Sequence, residues 1–339
     1  MKAACCGCGF VPWGELTMRL TRRAALGLPL LAAPFVARAF PDKPVRWLVG
    51  YPAGGGTDVL ARLLGAHMQA KLGQPVVIEN RPGAATVLAA EATARAAPDG
   101  HTVMSAGVET VVFNPALYKR LPYDANADFR NLGLMARFHL VLSVKAQSDI
   151  ASAASFLSRA KADSGKLDFG SPGVGSPHHL AMERFAREAG IQLNHVPYRG
   201  MAPVMNDFLA GTIETGFVDY AAGGEALRTG RIKPLAVAST TRLPGLPGVP
   251  TIAEALGWSA GFEAYSWQGL VAPKATPDEP ANTLSAALSA AVNDPQVQAR
   301  MREIGLDPWP GGPAQQAALQ ASEQAVWWPV IRALGIQLD

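Results

Sequence analysis

A strand that runs into three glycines and then opens a helix is the feature that most constrains how this chain folds. Residues 44–58 read Pro-Val-Arg-Trp-Leu-Val-Gly-Tyr-Pro-Ala-Gly-Gly-Gly-Thr-Asp. The apolar run 45–51 predicts a buried strand, and Thr57 or Asp58 is a suitable cap for the helix that follows. Glycines 54–56 predict positive φ and uncovered N–H groups at the positive end of a helix dipole. The junction therefore either binds a carboxylate or phosphate or is a simple turn.

A second junction of the same kind lies in the middle of the chain. Residues 171–177 read Ser-Pro-Gly-Val-Gly-Ser-Pro. Ser176 is a candidate N-cap, and Pro177 then occupies the first helical position. Two such junctions, one in each half, predict two lobes that face one ligand. The alternative at each junction is a turn that binds nothing.

Short apolar runs alternate with helical stretches from residue 40 onward. This order is typical of an α/β protein with mainly parallel sheets. We predict strands at 45–51, 76–79, 102–106, 140–144, 167–171, 195–198, 213–217, 235–238 and 269–272. We predict helices at 57–72, 85–96, 152–163, 178–189, 203–210, 251–256, 281–293 and 314–334.

The first 39 residues have the organisation of an export signal. Arg22 and Arg23 precede an apolar run at 24–36, and Ala37-Arg38-Ala39 has the small-x-small pattern of a cleavage site. The run is shorter than the about 20 residues that span a bilayer. We predict an exported protein cut after Ala39. The arginine pair resembles a twin-arginine signal, with ordinary secretion as the alternative, and residues 1–17 fit a mis-assigned start before Met18.

Removal of residues 1–39 changes which functions the composition allows. The mature chain keeps 25 of 30 basic and 26 of 27 acidic residues, so its net charge is −1. The basic footprint expected of a nucleic-acid-binding protein is lost. Cys5, Cys6 and Cys8 are all removed, which excludes a disulfide, a thiol nucleophile and a cysteine metal site. We expect a monomer without cofactor or metal, with about 300 residues for two domains.

Ten segments in one order carry a resemblance that covers the whole mature chain. The chain resembles the Bug family, the substrate-binding proteins of tripartite tricarboxylate transporters. The segments are 49–58, 72–84, 97–102, 114–118, 121–124, 171–176, 195–200, 246–251, 261–263 and 335–339. Each segment alone is a weak signal, and their combination in this order is highly specific.

The resemblance implies a periplasmic solute-binding protein, not an enzyme. The implied fold is α/β and periplasmic binding protein type II-like, with a hinge and a ligand cleft between two lobes. Lobe 1 would comprise 40–140 and 262–339, and lobe 2 would comprise 141–261. The ligand would be a small carboxylate, and the partner either the membrane subunits of a tripartite tricarboxylate-type transporter or a sensor protein.

The ligand-binding residues that the resemblance implies come from both lobes. Backbone N–H groups, hydroxyls and waters would hold the carboxylate, without an arginine clamp. Lobe 1 would supply Tyr51, Ala53, Gly54, Gly55, Gly56, Thr57, Asp58 and Ala84. Lobe 2 would supply Ser171, Gly173, Gly175, Ser176, Tyr198 and Asp219.

The chain departs from the family pattern in places expected to touch the pocket. Gly50 replaces a common proline, His101 a usual tyrosine, and Ala85-Thr86-Val87 a frequent Gly-Gly-Asn or Gly-Gly-Thr. The added methyl groups favour a smaller or more apolar ligand end. Glu109 is expected to be a solvated loop charge. If it faces the cleft instead, it would select against a second carboxylate.

An exported dinucleotide-dependent enzyme that uses the Gly54–Gly56 loop is the alternative function. Glu79 lies 21 positions after Asp58 and ends the next predicted strand, as a ribose-binding acid does. Val59 stands where the third glycine of that motif belongs. Asp58 is better suited to cap the helix than to act as a base. His178 and His179 are adjacent and fit a helix start, with His179 able to reach the cleft.

Overall fold

The computed structural model describes Gly9 and residues 40–339 of the chain. The export signal predicted for residues 1–39 lies outside the described residues, except for Gly9. No helix in the described part of the chain combines the length and apolar character needed to cross a membrane.

Strands and helices alternate through the described residues. The strands are β1 Val45–Val49, β2 Val76–Asn80, β3 Thr102–Gly107, β4 Phe129–Lys145, β5 Asp168–Ser171, β6 Asn194–Pro197, β7 Thr215–Asp219, β8 Ile232–Val237, β9 Tyr265–Pro273 and β10 Asp307–Gly311. The helices are α1 Gly56–Leu72, α2 Val87–Ala94, α3 Asn114–Leu117, α4 Ala153–Ala162, α5 Pro177–Ala189, α6 Met201–Ala210, α7 Tyr220–Arg228, α8 Ile252–Leu256, α9 Asp278–Asn293, α10 Pro295–Glu303 and α11 Pro313–Leu334. A π-helical turn, Glu109–Phe113, follows β3.

Strand β4 joins two groups of strands into one sheet. The order along the sheet is β2-β1-β3-β9-β4-β7-β5-β6, and β8 and β10 also pair with β4. The first part of β4, up to His139, pairs with β9, while the part from Leu140 onward pairs with β7 and β8. The change of partners lies next to the predicted lobe boundary at 140/141, and the division into lobes stays a prediction.

The prediction of mainly parallel sheets is wrong at the centre of the sheet. Strands β1, β2 and β3 are parallel to one another, as are β5, β6 and β7. The β3–β9 pair and every pair that β4 makes are antiparallel. Strands β4 and β9 connect the two groups and run in opposite directions. The alternation of strands and helices along the sequence does not indicate this.

Each group of strands has its own apolar core. Trp47 of β1 and Leu60 and Leu64 of α1 are fully buried in the first. Phe185 of α5 and Phe217 of β7 are fully buried in the second. Each such side chain contributes about 1.5–3 kcal/mol by leaving water. These cores fix the C-terminal ends of the parallel strands, where ligand sites of open α/β sheets form.

Candidate functional site between the strand ends

The loops after β1, β6 and β7 meet at one end of the sheet. A Cβ atom placed on Gly56, at the start of α1, would lie 3.7 Å from the Cβ of Ala221 in α7. A Cβ atom on Gly200, after β6, would lie 4.0 Å from Cγ of Pro52. Residues of the first glycine junction therefore face residues of the second group of strands at close range.

Helix α1 begins with backbone donors that no side chain caps. Gly55 is its N-cap residue and makes no side-chain capping hydrogen bond. The first N–H groups of any α-helix lack an intrahelical acceptor, and the helix dipole adds positive charge there. Ala53, Gly54 and Gly55 are exposed, so these donors border open space. The prediction that Thr57 or Asp58 is the N-cap is wrong.

The three glycines of this junction are under different constraints, and Gly55 is under none that requires glycine. Only Gly54 has a positive φ, 82°. Gly55 has φ −75°, and a Cβ there would lie 3.5 Å from the Pro52 carbonyl oxygen, an ordinary contact. A Cβ on Gly56 would approach Cε1 of Phe138 to 2.9 Å, which is too close. The prediction of positive φ at all three positions is therefore wrong at Gly55 and Gly56.

Asp58 holds the glycine loop in place. Its buried carboxylate accepts hydrogen bonds from the Gly54 N–H at 2.9 Å, from Asn80 at 2.8 Å and from Arg62 at 2.9 and 3.0 Å. Burial by itself raises the pKa of Asp58, but the hydrogen bonds from Arg62, Gly54 and Asn80 outweigh it and leave the pKa below its ordinary value. Asn80 also donates to the carbonyl of half-buried Tyr51 at 3.1 Å. Asp58 thus orders the donors around it.

The loop before α2 is wound in a left-handed conformation. Ala84, Ala85 and Thr86 have φ of 45°, 48° and 75°, values that L-residues seldom adopt. The Tyr118 hydroxyl donates to the Ala84 carbonyl at 3.1 Å, and Asn114 donates to the Ala85 carbonyl at 2.7 Å. These bonds hold exposed Ala84 at the same end of the sheet as the glycine junction.

Two departures from the family pattern depend on each other. A Cβ on Gly50 would lie 2.8 Å from the Cβ of Thr86, so the threonine fills the space that a side chain at position 50 needs. The Thr86 and Thr110 hydroxyls are 2.8 Å apart and hydrogen-bonded. His101, by contrast, precedes β3 at the opposite end of the sheet and packs against Phe40. Its predicted place near the pocket is wrong.

The second junction forms a tight loop that closes on itself. Ser176 is the N-cap of α5 and accepts from the His179 N–H at 3.3 Å, and Pro177 is the first helical residue, as predicted. The Ser171 hydroxyl donates to the Gly173 carbonyl at 3.1 Å. The Gly175 N–H donates to Nδ1 of His179 at 3.1 Å. Several polar groups of this loop thus already have partners within the protein.

The buried His179 and the half-buried His195 stack on each other beside this loop. The His179 and His195 rings stack at 3.9 Å, and Nε2 of His195 lies 2.6 Å from the Ser171 hydroxyl. Burial, with the neighbouring His195, lowers the pKa of His179 to about 3. Burial alone lowers the pKa of His195 to about 4. Both rings are neutral at neutral pH, and His179 supports the loop instead of reaching the cleft.

The remaining predicted site residues are also held by protein groups. The Tyr198 hydroxyl donates to Asp207 at 2.6 Å; burial and this carboxylate raise the pKa of Tyr198 to about 12. Asp219 caps α7 by accepting from the Ala222 N–H at 2.8 Å, and its second oxygen lies 3.3 Å from Nε2 of His178. Asp219 therefore positions the start of α7 opposite Gly56.

Glu109 is the residue whose surroundings differ most from expectation. It opens the π-helical turn after β3 and is 5% exposed, so the expected solvated loop charge is wrong. Among the described residues its carboxyl group makes no hydrogen bond or ion pair, although its backbone carbonyl accepts from the Asn114 N–H. Burial raises its pKa to about 8. The sequence signal for this was the apolar surroundings of Glu109, between Val108 and Val111.

The chemistry of the site is that of neutral donors. The described residues contain no cluster of three or more histidine, cysteine or acidic side chains able to hold a metal ion. Uncapped N–H groups of α1 face the other strand group across exposed glycines. Such an arrangement stabilises an anion without a cationic side chain. The fold and these paired loops define a binding protein of the periplasmic type.

Comparisons with known proteins place the chain in a family. The family model described as the tripartite tricarboxylate transporter family receptor, TctC, matches residues 60–336. The chain is 35% identical over 315 residues to the UPF0065 protein in the tcbD-tcbE intergenic region of a Pseudomonas species, covering 91% of this chain and 93% of the relative. It is 32% identical over 309 residues to Protein BugT of Bordetella pertussis, covering 91% and 94%. The chain belongs to the tripartite tricarboxylate transporter receptor family.

Solved structures agree with this assignment. The structure of R. palustris Rpa4515 with adipate has a TM-score of 0.83 and 33% identity, covering 88% of this chain and 99% of that one. MatC from Rhodopseudomonas palustris with bound malate has a TM-score of 0.80 and 32% identity, covering 86% and 100%. The periplasmic binding protein BugD has a TM-score of 0.81 at 29% identity, covering 88% and 99%. The receptors of this family are periplasmic solute-binding proteins.

Proposed function

We propose that this protein captures a small carboxylate in the cleft between its two lobes. The observation that carries the proposal is the uncapped N-terminus of α1, which lies opposite the start of α7. Its uncapped N–H groups supply neutral donors with partial positive charge, which suit a carboxylate. Solved relatives that hold adipate and malate support the same ligand class.

The proposed ligand site comprises the fourteen predicted residues, of which some donate to the ligand and the others border or shape the site. Gly55, Gly56 and Thr57 offer backbone donors, and Ala53, Gly54 and Ala84 border them. The others shape the site from both sides: Tyr51, Asp58, Ser171, Gly173, Gly175, Ser176, Tyr198 and Asp219. Because the polar groups of Asp58, Ser171 and Tyr198 already have protein partners, we assign them to positioning the loops.

The proposed cellular context is delivery of the ligand to a transporter. The mature protein would begin at or near Phe40, after export by a twin-arginine or ordinary signal, and would act as a monomer. The partner is the membrane part of a tripartite tricarboxylate-type transporter, with a sensor protein as the second candidate. Family membership supports the transporter.

We infer binding without catalysis or cofactor. The second candidate, a dinucleotide-dependent enzyme, requires an acid that holds the ribose. Glu79 instead pairs with Arg46 at 2.7 Å, and Asp58 is engaged by Arg62 and Asn80. The structure supplies no other observation in favour of a nucleotide.

A matched pair of glycine variants tests the proposed site. Gly55 and Gly312 are both N-cap residues without a side-chain cap, with φ of −75° and −76°. Gly55→Val places a branched side chain over the donors of α1, and Gly312→Val makes the same change at α11. In a thermal-shift panel, we expect adipate, malate and related carboxylates to stabilise the wild type, and nicotinamide dinucleotides to have no effect. A ligand at a hundredfold excess over its Kd adds about 2.7 kcal/mol.

Gly55→Val is expected to lose this stabilisation, whereas Gly312→Val is expected to keep it. Folding of both variants is checked by circular dichroism, because both changes also alter helix caps. Stabilisation by dinucleotides alone would favour the enzyme. An undiminished carboxylate effect in folded Gly55→Val would place the ligand elsewhere.

A further inference from the structure

Glu109 is 5% exposed and opens the turn that follows β3, near the place where the two strand groups meet. Strand β3 runs beside β1, with Val49 opposite Ser105, so the chain leaves β3 next to the glycine junction. The next residue after Glu109, Thr110, is hydrogen-bonded to Thr86 of the left-handed loop. The π-helical turn that Glu109 opens therefore lies between the two loops that border the first side of the site.

The second strand group reaches the same turn. Val108 and Val111, which flank Glu109, share a buried cluster with Leu180 in the first turns of α5. A Cβ on Gly175, in the loop before α5, would lie 2.6 Å from Cδ1 of Leu117 in α3, which follows the turn. The turn that Glu109 opens thus lies between the glycine junction on one side and the start of α5 on the other.

No protein group in the described residues compensates for the burial of the Glu109 carboxyl group. Buried polar groups in proteins almost always have hydrogen-bond partners, and buried charges are paired. Glu109 has neither partner among the described residues. Burial is the single cause of its raised pKa of about 8, so no cation compensates the carboxylate. The empty protein therefore keeps this group protonated at neutral pH.

We propose that Glu109 is a specificity-determining residue that binds a cationic nitrogen at the end of the ligand remote from its carboxylate. This inference rests on the proposed function, because it places the ligand carboxylate on the N–H groups of α1. The ligand class is then a carboxylate with a protonated amine at its far end.

The charge balance distinguishes this ligand from a dicarboxylate. A second carboxylate beside Glu109 brings like charges together where no cation lies nearby, which disfavours binding. An ammonium group supplies the missing partner, and charge-assisted hydrogen bonds of this type are among the strongest in proteins. In the electrically neutral pair that results, the Glu109 proton is released to solvent and the ammonium donates to the carboxylate.

Three probes of one chain length test the proposal by calorimetry. They are 6-aminohexanoate, adipate and hexanoate, which differ only in the group at the far end; 4-aminobutanoate, succinate and butanoate repeat the test at a shorter length. In the wild type, we expect the amino probe to bind at least about tenfold more tightly than the other two, as a hydrogen bond to a charged group allows. Glu109→Gln is expected to remove this preference and to bind the dicarboxylate better. Glu303→Gln, an exposed position in α10, is the matched control and should behave as the wild type.

The outcomes separate this inference from the proposed function. If all three probes bind alike in the wild type, or adipate binds best, the carboxylate site remains and the role of Glu109 is wrong. If Glu109→Gln keeps the amino preference, the role is also wrong. If none of the six probes binds, both proposals fail. The wild-type order of affinities tests the inference even if the variant does not fold.

Discussion

Asp58 and Glu109 show how surroundings decide the charge of a buried carboxyl group. Both follow strands of the first group, and both are at least nine-tenths buried. Asp58 has Arg62, Asn80 and an N–H group as partners, and its pKa lies below the ordinary value. Glu109 has burial alone, and its pKa rises to about 8. At neutral pH one group is an anion that orders a loop, and the other is a neutral acid.

The raised pKa of Glu109 predicts a stability that falls as pH rises. The unfolded group ionises near its ordinary pKa of 4.5, whereas the folded group keeps its proton up to about pH 8. Between these values the folded state binds one more proton than the unfolded state. The free energy of unfolding therefore decreases by at most about 1.4 kcal/mol per pH unit, and the contribution is lost above about pH 8.

Urea unfolding of the wild type and Glu109→Gln at pH 5, 6.5 and 8 measures this effect. Glutamine cannot ionise, so the variant should gain stability relative to the wild type as pH rises, by a few kcal/mol over the series. Glu303→Gln should follow the wild-type profile. Parallel profiles for wild type and Glu109→Gln would show that the group is not buried as described.

The sequence identified which residues form the glycine junction, but it did not predict the conformation or burial of each one. The glycine junction could be recognised because glycine beside a strand end is itself informative. The separate constraint on each glycine could not be predicted. Gly56, for example, must lack a side chain because Phe138 of the distant strand β4 packs against it. The misjudgement of Glu109 has the same origin. A polar residue in an apolar run is exposed or buried according to packing against elements far along the chain.

At the level of elements, the β5–α5 loop is a unit built around its helix cap. Ser176 accepts the His179 N–H, and the His179 ring accepts the Gly175 N–H, so cap and loop hold each other. His195 of β6 stacks on this histidine from behind. The shape of the second side of the site therefore depends on the start of one helix.

Two serine caps separate helix stability from ligand binding. Ser176→Ala and Ser152→Ala each remove an N-cap hydroxyl, from α5 and α4 respectively. Each should cost about 0.5–2 kcal/mol in unfolding experiments. Ser176→Ala alone should also weaken the best carboxylate probe, by about 2–10-fold in calorimetry. Equal affinities in both folded variants would contradict a role for this loop in the site.

Several elements that the sequence failed to predict each have a physical reason of their own. Strand β10 contains Pro308 and Pro310, which favour an edge position over a recognisable strand pattern. Helix α10 is polar apart from Val297 and Met301, so its periodicity is weak. The first half of β4 is flanked by arginines, and its strand character comes from pairing with β9. All nine predicted strands exist, including β2 and β6, which lie at the ends of the sheet and are only partly buried.

At the scale of the whole molecule, β4 and β9 are the strands around which movement of the two groups would occur. Arg137 of β4 lies over the rings of Tyr265 and Trp309, at 4.9 and 4.1 Å. His139 lies 3.2 Å from Asp307. These contacts gather around the residues where β4 changes its partners. The family resemblance predicts a hinge between the lobes, and the structure adds the antiparallel β4–β9 pairing next to the predicted lobe boundary.

Solution scattering tests whether the lobes close on a ligand. Binding between the lobes should reduce the radius of gyration, which for a compact chain of this size is roughly 19 Å. We expect the reduction with a saturating carboxylate probe in the wild type and in Gly312→Val. Gly55→Val should show no change, because it does not hold the ligand. An unchanged radius in a wild type shown to be saturated would argue against closure.

The pairing of β9 also affects the order in which the molecule can fold. Met104 of β3 pairs with Val271 of β9, so the first sheet region closes only when residues far apart along the chain meet. Long-range pairings of this kind slow folding, because loop entropy is lost before contacts form. The second group, β5 to β8, is contiguous along the chain and can assemble earlier. Until β9 arrives, β3 has an unpaired edge, the kind of surface that invites aggregation. Strand β9, which lies at the predicted hinge, is therefore also the strand whose late arrival exposes the chain to misfolding.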